Sequence, residues 1–246
     1  LAVKKNEVIR FYFLNAANAR VFQIQIPDAK LKLIGKDNGR VEEEQWVDSL
    51  LISPSERRIV DVLFEKSGSS ELLHSTPVAQ KSLGSIAVSE ESIQPDLKGS
   101  FTQLRKYSKD FDVIRSEWNS WLKKEPDKKL RIGIESRMGH RMMGHMRNSS
   151  LPEPIEWEDD MGMMNAMSTS QDVIWKLIDE DSRQFNDAIQ WKFKKNTWVK
   201  LRLTNNSNVL HPMQHPIHLH GQRMIALATN GKSENNLSYQ DTIMIK

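Results

Sequence analysis

Apolar and polar positions alternate through the first 90 residues. Ile9, Phe11 and Phe13 alternate with Arg10 and Tyr12, and Phe22, Ile24 and Ile26 with Val21, Gln23 and Gln25. Leu31 and Leu33 alternate with Lys30 and Lys32, and Val60, Val62 and Phe64 with Asp61 and Leu63. Alternation of this kind puts every second side chain on one face of a strand. Asp37-Asn38-Gly39 and Ser67-Gly68-Ser69-Ser70 punctuate the runs as turn signals. Several short strands separated by turns predict a β-sandwich or barrel.

The period changes after residue 91. A polar stretch with Pro95 and Gly99 is followed by Phe101, Leu104, Phe111, Ile114, Trp118 and Trp121, spaced for one face of a helix and stopped by Pro126. Such a stripe is expected to pack against a neighbouring domain rather than to bind a cofactor. Strand patterns resume at Leu130-Arg131-Ile132-Gly133-Ile134 and at 198–205, and Asn230-Gly231 is a hairpin-type turn. The expected division is a β-domain over 1–95, a helical linker over 96–127 and a second β-domain over 128–246.

Composition narrows the picture. The chain has 246 residues, 38% hydrophobic and 27% charged, which fits one large or two ordinary globular domains. The net charge of +3 is spread along the chain, so nucleic acid is not an expected partner. No apolar run approaches the roughly 20 residues that span a bilayer. There is no cysteine, hence no disulfide and no thiolate for a metal.

The candidate chemistry is histidine. His211, His215, His218 and His220 fall within ten residues, and neutral imidazole is the commonest transition-metal ligand. The run from Ile217 to His220 has strand character. His218 and His220 then share a face, their Cα atoms roughly 6.6 Å apart. That separation suits two neighbouring metals better than one. His215 has the opposite parity and is expected to serve a different site, with Pro216 fixing the chain between. His-x-His pairs also occur in zinc hydrolases, but there an Asp commonly follows, whereas Gly221 and Gln222 follow here. From Met138 to Met167 the chain holds many methionines together with His140 and His145. Thioethers suit Cu(I), yet a loop packed over the sandwich edge is the expected reading.

His215-Pro216-Ile217-His218-Leu219-His220-Gly221 resembles the first copper motif in the last cupredoxin domain of multicopper oxidases, the laccase-like and bilirubin-oxidase-like enzymes, in their bacterial branch. The resemblance implies His215 as the type 1 copper ligand, His218 as a type 2 ligand and His220 as a type 3 ligand. It assigns no metal to His211. The family often has Phe where Met224 stands, and Trp-Lys-Asp-Thr where this chain has Tyr239-Gln240-Asp241-Thr242. Ile9-Arg10-Phe11-Tyr12-Phe13-Leu14-Asn15-Ala16, Leu33-Ile34-Gly35-Lys36-Asp37-Asn38-Gly39 and Pro54-Ser55-Glu56-Arg57 are similar to the family's middle domain, although the family usually has Gly at the position of Ser55. The implied fold is all-β: two cupredoxin-like Greek-key sandwiches joined by a helix-containing linker.

In that family, one-electron oxidation of a reducing substrate (a phenol, a bilin or a metal ion) is coupled to reduction of dioxygen to water at copper. Without a cysteine this chain cannot complete a type 1 site. It is therefore expected to be an inactive piece of such an oxidase, with copper absent or partial, periplasmic or secreted, and self-associating through its last domain. The alternatives are a non-catalytic cupredoxin-fold scaffold and a copper-binding or storage protein using the Met/His loop.

Overall fold

The computed structural model describes residues 1–136, 155–157, 173–205 and 214–246. The methionines and histidines of the Met138–Met167 stretch, and His211, lie outside the described residues. The chain forms two compact units, one of 1–118 with 216–243 and the other of 119–215 with 244–246.

In the first unit the alternating pattern becomes two sheets. The strands are β1 Ala2–Lys5, β2 Val8–Leu14, β3 Phe22–Gln25, β4 Lys30–Lys36, β5 Gly39–Val47, β6 Leu50–Ile52, β7 Arg57–Leu63, β8 Gly68–Ser75 and β9 Gln80–Ser92. One sheet runs β1-β9-β8-β3-β6 and the other β2-β7-β4-β5. Val3, Ile24, Ile86 and Val88 from the first sheet meet Leu31, Leu33, Val60 and Val62 from the second in one buried cluster, with Ile9, Phe11 and Phe13 packed against it. Side chains of both sheets sharing one core make this a sandwich. All-β architecture is thus as the pattern requires.

Lys32 departs from the simple alternation. It points away from the core, yet its side chain is only 1% exposed and is paired with the buried Glu44 at 3.1 Å. The cover is the segment after β9. Phe101 packs on Trp46, with ring centroids 5.0 Å apart. The ammonium of Lys32 lies 5.2 Å from the Phe101 ring and donates to the carbonyl of Gln103.

The helical stripe is realised in pieces: α1 Lys98–Thr102, a 3-10 turn, α2 Asp112–Ser116 and α3 Trp118–Lys123. Phe101, Phe111 and Ile114 are buried as expected, while Leu104 is 44% exposed. The interruption has a backbone cause. Residues 105–107 run along the edge of β5, where Glu44 N–H donates to Arg105 O at 2.9 Å and Tyr107 N–H to Glu42 O at 2.7 Å. These bonds satisfy strand-edge groups that a continuous helix would leave open.

The second unit contains β10 Lys128–Ser136, β11 Val173–Asp179 and β12 Leu201–Asn205 in the order β11-β10-β12, with β10 antiparallel to β11 and parallel to β12. The Lys200 ammonium donates to the carbonyls of Trp121, Leu122 and Lys124 and so caps the end of α3. Asp179 accepts from Ser182 Oγ at 2.6 Å and Trp191 Nε1 at 3.1 Å.

The remaining strands are β13 His215–His218, β14 Ala228–Thr229, β15 Lys232–Ser233 and β16 Thr242–Ile245. β13 pairs with β16, and β14 with β15. Asn230 and Gly231 both have positive φ, +50° and +78°, as a two-residue type I′ hairpin requires.

Candidate metal centre

The site is assembled on the partner of the histidine strand. Asp241 and Thr242 enter β16 fully wrapped by the first unit. Their backbone N–H groups donate to Asp37 Oδ2 at 3.0 and 3.1 Å. Asp37 sits at the β4–β5 turn with φ +44°, and its other oxygen accepts the Arg57 N–H at 2.9 Å. Arg57 completes the ring: its guanidinium donates two bonds to the Asp241 carboxylate, at 2.7 and 2.5 Å. A bidentate guanidinium–carboxylate pair of this kind is a strong, geometrically specific contact. The hydrogen bonds from Arg57 hold the Asp241 carboxyl below the usual carboxylate range, against the opposing effect of its partial burial. Asp241 is therefore an anion at neutral pH.

This anion faces His218. Its Oδ1 lies 3.3 Å from His218 Nδ1, and Thr242 Oγ1 lies 3.0 Å from the same nitrogen. The Thr242 hydroxyl donates to Asp241 Oδ1 at 2.9 Å. Its one proton being spent there, Thr242 Oγ1 can only accept from His218, so Nδ1 carries the hydrogen and Nε2 of the neutral ring keeps its lone pair. That is the tautomer a metal ligand needs, fixed by a carboxylate in the manner typical of ligating histidines.

His220 lies beside it. The ladder continues one residue past β13 through Leu219 N–H to Asp241 O at 2.9 Å, and the His218 and His220 rings stand with centroids 4.8 Å apart at 71°. Gly221 then turns the chain with φ +71°, and Met224 makes a two-way backbone bridge with Gln240. His218, at the end of β13, and His220, in the turn after it, are thus brought together and both are exposed.

His215 is counted with the second unit. Its ring meets Trp175 of β11 edge-on, with centroids 4.9 Å apart. The preceding Gln214 is buried and clamps the Glu156 backbone in both directions, accepting its N–H at 2.9 Å and donating to its carbonyl at 3.0 Å. Among the described residues no three His, Cys, Asp or Glu side chains stand close enough to hold a metal. Two adjacent imidazoles, one with its lone pair fixed outward, fit copper as part of a ligand set.

Reasoning from sequence named the three histidines and missed the residues that orient one of them. Asp37, Arg57, Asp241 and Thr242 were visible only as pieces of separate phrases, and it is these phrases that meet here.

Residues 155–246 match the model of the multicopper oxidase family. The match covers the C-terminal part of the chain. No curated protein sequence matches it. Solved multicopper oxidases share its fold. The laccase-like CueO from an Ochrobactrum species covers 100% of this chain and 48% of its own at 22% identity and TM-score 0.59. The metallo-oxidase of Campylobacter jejuni covers 100% and 46% at 20% identity and TM-score 0.56. McoA from Aquifex aeolicus covers 99% and 47% at 14% identity and TM-score 0.55. The chain therefore spans about half the length of the structures it resembles.

Proposed function

We propose that this chain works as part of a copper oxidase that couples one-electron oxidation of a small reducing substrate (a phenol, a bilin or a metal ion) to reduction of dioxygen to water. His218 and His220 are its contribution to the trinuclear copper side, as type 2 and type 3 ligands, and His215 its contribution to the type 1 site. The observation that carries this reading is the Thr242–Asp241 pair set against Nδ1 of His218, with the His220 ring beside it. Copper, when bound, supplies the electron storage and the binding of dioxygen. What this chain's own residues do is hold the imidazoles, with Arg57 keeping Asp241 ionised and Asp37 holding its backbone in place.

A type 1 site also needs a thiolate, and these 246 residues contain no cysteine. The remaining ligands come from other polypeptide, and the chain alone is inactive. We place the working oxidase in the periplasm or outside the cell, in keeping with the bacterial oxidases whose fold it shares; no described helix is long and apolar enough to cross a membrane. Residues 1–95 take the place of the copper-free middle domain and 128–246 that of the last domain, with 96–127 between them. The test is dioxygen uptake with a phenol, a bilin or Cu(I) as donor. The copper-treated chain alone should consume none above the free-copper background. The oxidase containing this chain should consume dioxygen and lose that activity in His218→Ala and His220→Ala. Uptake that survives both substitutions would refute the assignment.

A further inference from the structure

We propose that the outer face of the sheet β2-β7-β4-β5 carries a binding site for a small aromatic carboxylate, separate from the histidine strand. A groove of about 390 Å³ opens there. Ile34, Gly35 and Ile59 form its floor, and Tyr12 and Tyr107 line it. Arg10, Arg40 and Arg105 bring three guanidinium groups to it.

The charges in the groove are unequal in their freedom. Its acidic groups are already satisfied. The Glu44 carboxylate is ion-paired with the Lys32 ammonium at 3.1 Å and accepts from the Arg105 N–H at 3.1 Å and the Tyr107 hydroxyl at 3.2 Å. Asp37 is taken up by the backbone N–H groups of Arg57, Asp241 and Thr242. Neighbouring Asp61 holds Arg10 with two bonds, at 2.7 and 3.0 Å. The less engaged cations are Arg40 and Arg105. Arg40 stacks its guanidinium on the Tyr107 ring at 4.7 Å and makes no hydrogen bond or ion pair among the described residues. Stacking holds the fork flat while its N–H edge stays available. Arg105 reaches Glu44 only at 4.0 Å, and its side chain is 51% exposed. Among the described residues the groove thus keeps positive charge at Arg40 that no ion pair offsets.

The rest of the lining decides what kind of anion fits. Tyr12 is 70% exposed, a large ring left in water beside an aliphatic floor. A planar ring lying on Ile34 and Ile59 against Tyr12 covers that surface, and a carboxylate on the same ring meets the Arg40 fork edge to edge. Inorganic phosphate or acetate uses the cations and leaves the apolar floor wet. A concave apolar surface with a few convergent polar groups is the usual form of a small-ligand site.

The test is isothermal titration of the 246-residue chain with benzoate, acetate and inorganic phosphate. Benzoate should bind saturably at one site, and acetate and phosphate at least about tenfold more weakly. Arg40→Gln and Arg105→Gln should each weaken benzoate by about tenfold, the usual cost of one charged hydrogen bond. Circular dichroism of both variants should match the parent. The double variant His218→Ala/His220→Ala should bind benzoate unchanged, which separates this site from the copper reading. No saturable benzoate binding at millimolar concentration would overturn the proposal. So would phosphate binding as tightly as benzoate, parent-like affinity in both arginine variants, or loss of binding in the histidine double variant.

Discussion

The Asp241 carboxylate stands 3.3 Å from Nδ1 of His218 and is held there by two hydrogen bonds from Arg57. Arg57 and Asp241 are far apart in sequence, so the ring is oriented only where the sheet that carries Arg57 meets the strand pair of β13 and β16. The orientation of the His218 imidazole is in this way a consequence of tertiary pairing rather than of its own strand.

Thr242→Val tests that dependence with little change of volume. It removes the hydroxyl that accepts from His218 and donates to Asp241. Loss of an orienting outer contact typically costs about 10–100-fold in metal affinity. The variant should weaken Cu(II) binding within that range while thermal unfolding of the metal-free chain stays nearly unchanged. Equal copper affinity in parent and variant would show that the tautomer is not fixed by Thr242.

Ser55 adopts φ +67° after Pro54, in a turn closed by Glu56 N–H to Ser53 O at 3.0 Å. Pro at the second position and a positive φ at the third define a type II turn, which favours glycine. Ser55→Gly should relieve strain of about 1 kcal/mol, partly offset by glycine's greater freedom in the unfolded chain. A rise of about 2 °C in melting temperature is expected. A fall would mean that the serine hydroxyl contributes more than its backbone costs.

Much of the fold is legible in the sequence because core burial obeys the period-two rule: Ile24, Leu31, Leu33, Val60 and Val62 all face inward as their spacing demands. The rule fails where a third layer covers the sheet. Lys32 has the parity of a surface residue and is buried only because Phe101 and Gln103 lie over it. The broken helix has the same origin, since spacing cannot reveal that β5 offers backbone partners to residues 105–107. At the candidate site the histidines are legible from their clustering. Their supports are not: Asp37, Arg57 and Asp241 carry no local periodic signal, and their meeting depends on tertiary pairing.

Acid should destabilise the first unit through Glu42. Burial alone would raise its carboxyl. Hydrogen bonds from Arg115 and from the Leu237 N–H outweigh burial and leave it below the ordinary carboxylate range. A depressed folded-state value gives stability that is present above the unfolded carboxylate range, about pH 4.3, and is lost as pH falls through the lower folded value. The melting temperature of the parent should therefore drop more steeply than that of Glu42→Gln between about pH 5 and pH 3. Parallel curves for the two proteins would remove Glu42 from the account.

The second unit leaves Trp175, Leu177, Phe185, Phe193 and Trp198 partly exposed. β11 and β12 are the outer strands of its three-stranded sheet. Exposed aromatic surface of this extent favours pairing with another chain. Multi-angle light scattering should find a dimer or larger species whose proportion grows with concentration. A monomer at all concentrations would contradict this.

The central claim is that His218 and His220 are copper ligands belonging to an incomplete set. It is tested most directly by titrating Cu(II) into the chelator-treated chain and recording electron paramagnetic resonance spectra, with the His218→Ala/His220→Ala variant alongside. One or two imidazoles hold Cu(II) far more weakly than a closed ligand set, and ligand protonation competes with the metal. The expected result is a loosely held ion that dialysis or mild acid removes, without the intense blue band that a thiolate gives, and that is absent from the double variant. Stoichiometric copper surviving dialysis with a narrow type 1 hyperfine pattern, or an unchanged signal in the double variant, would contradict the account.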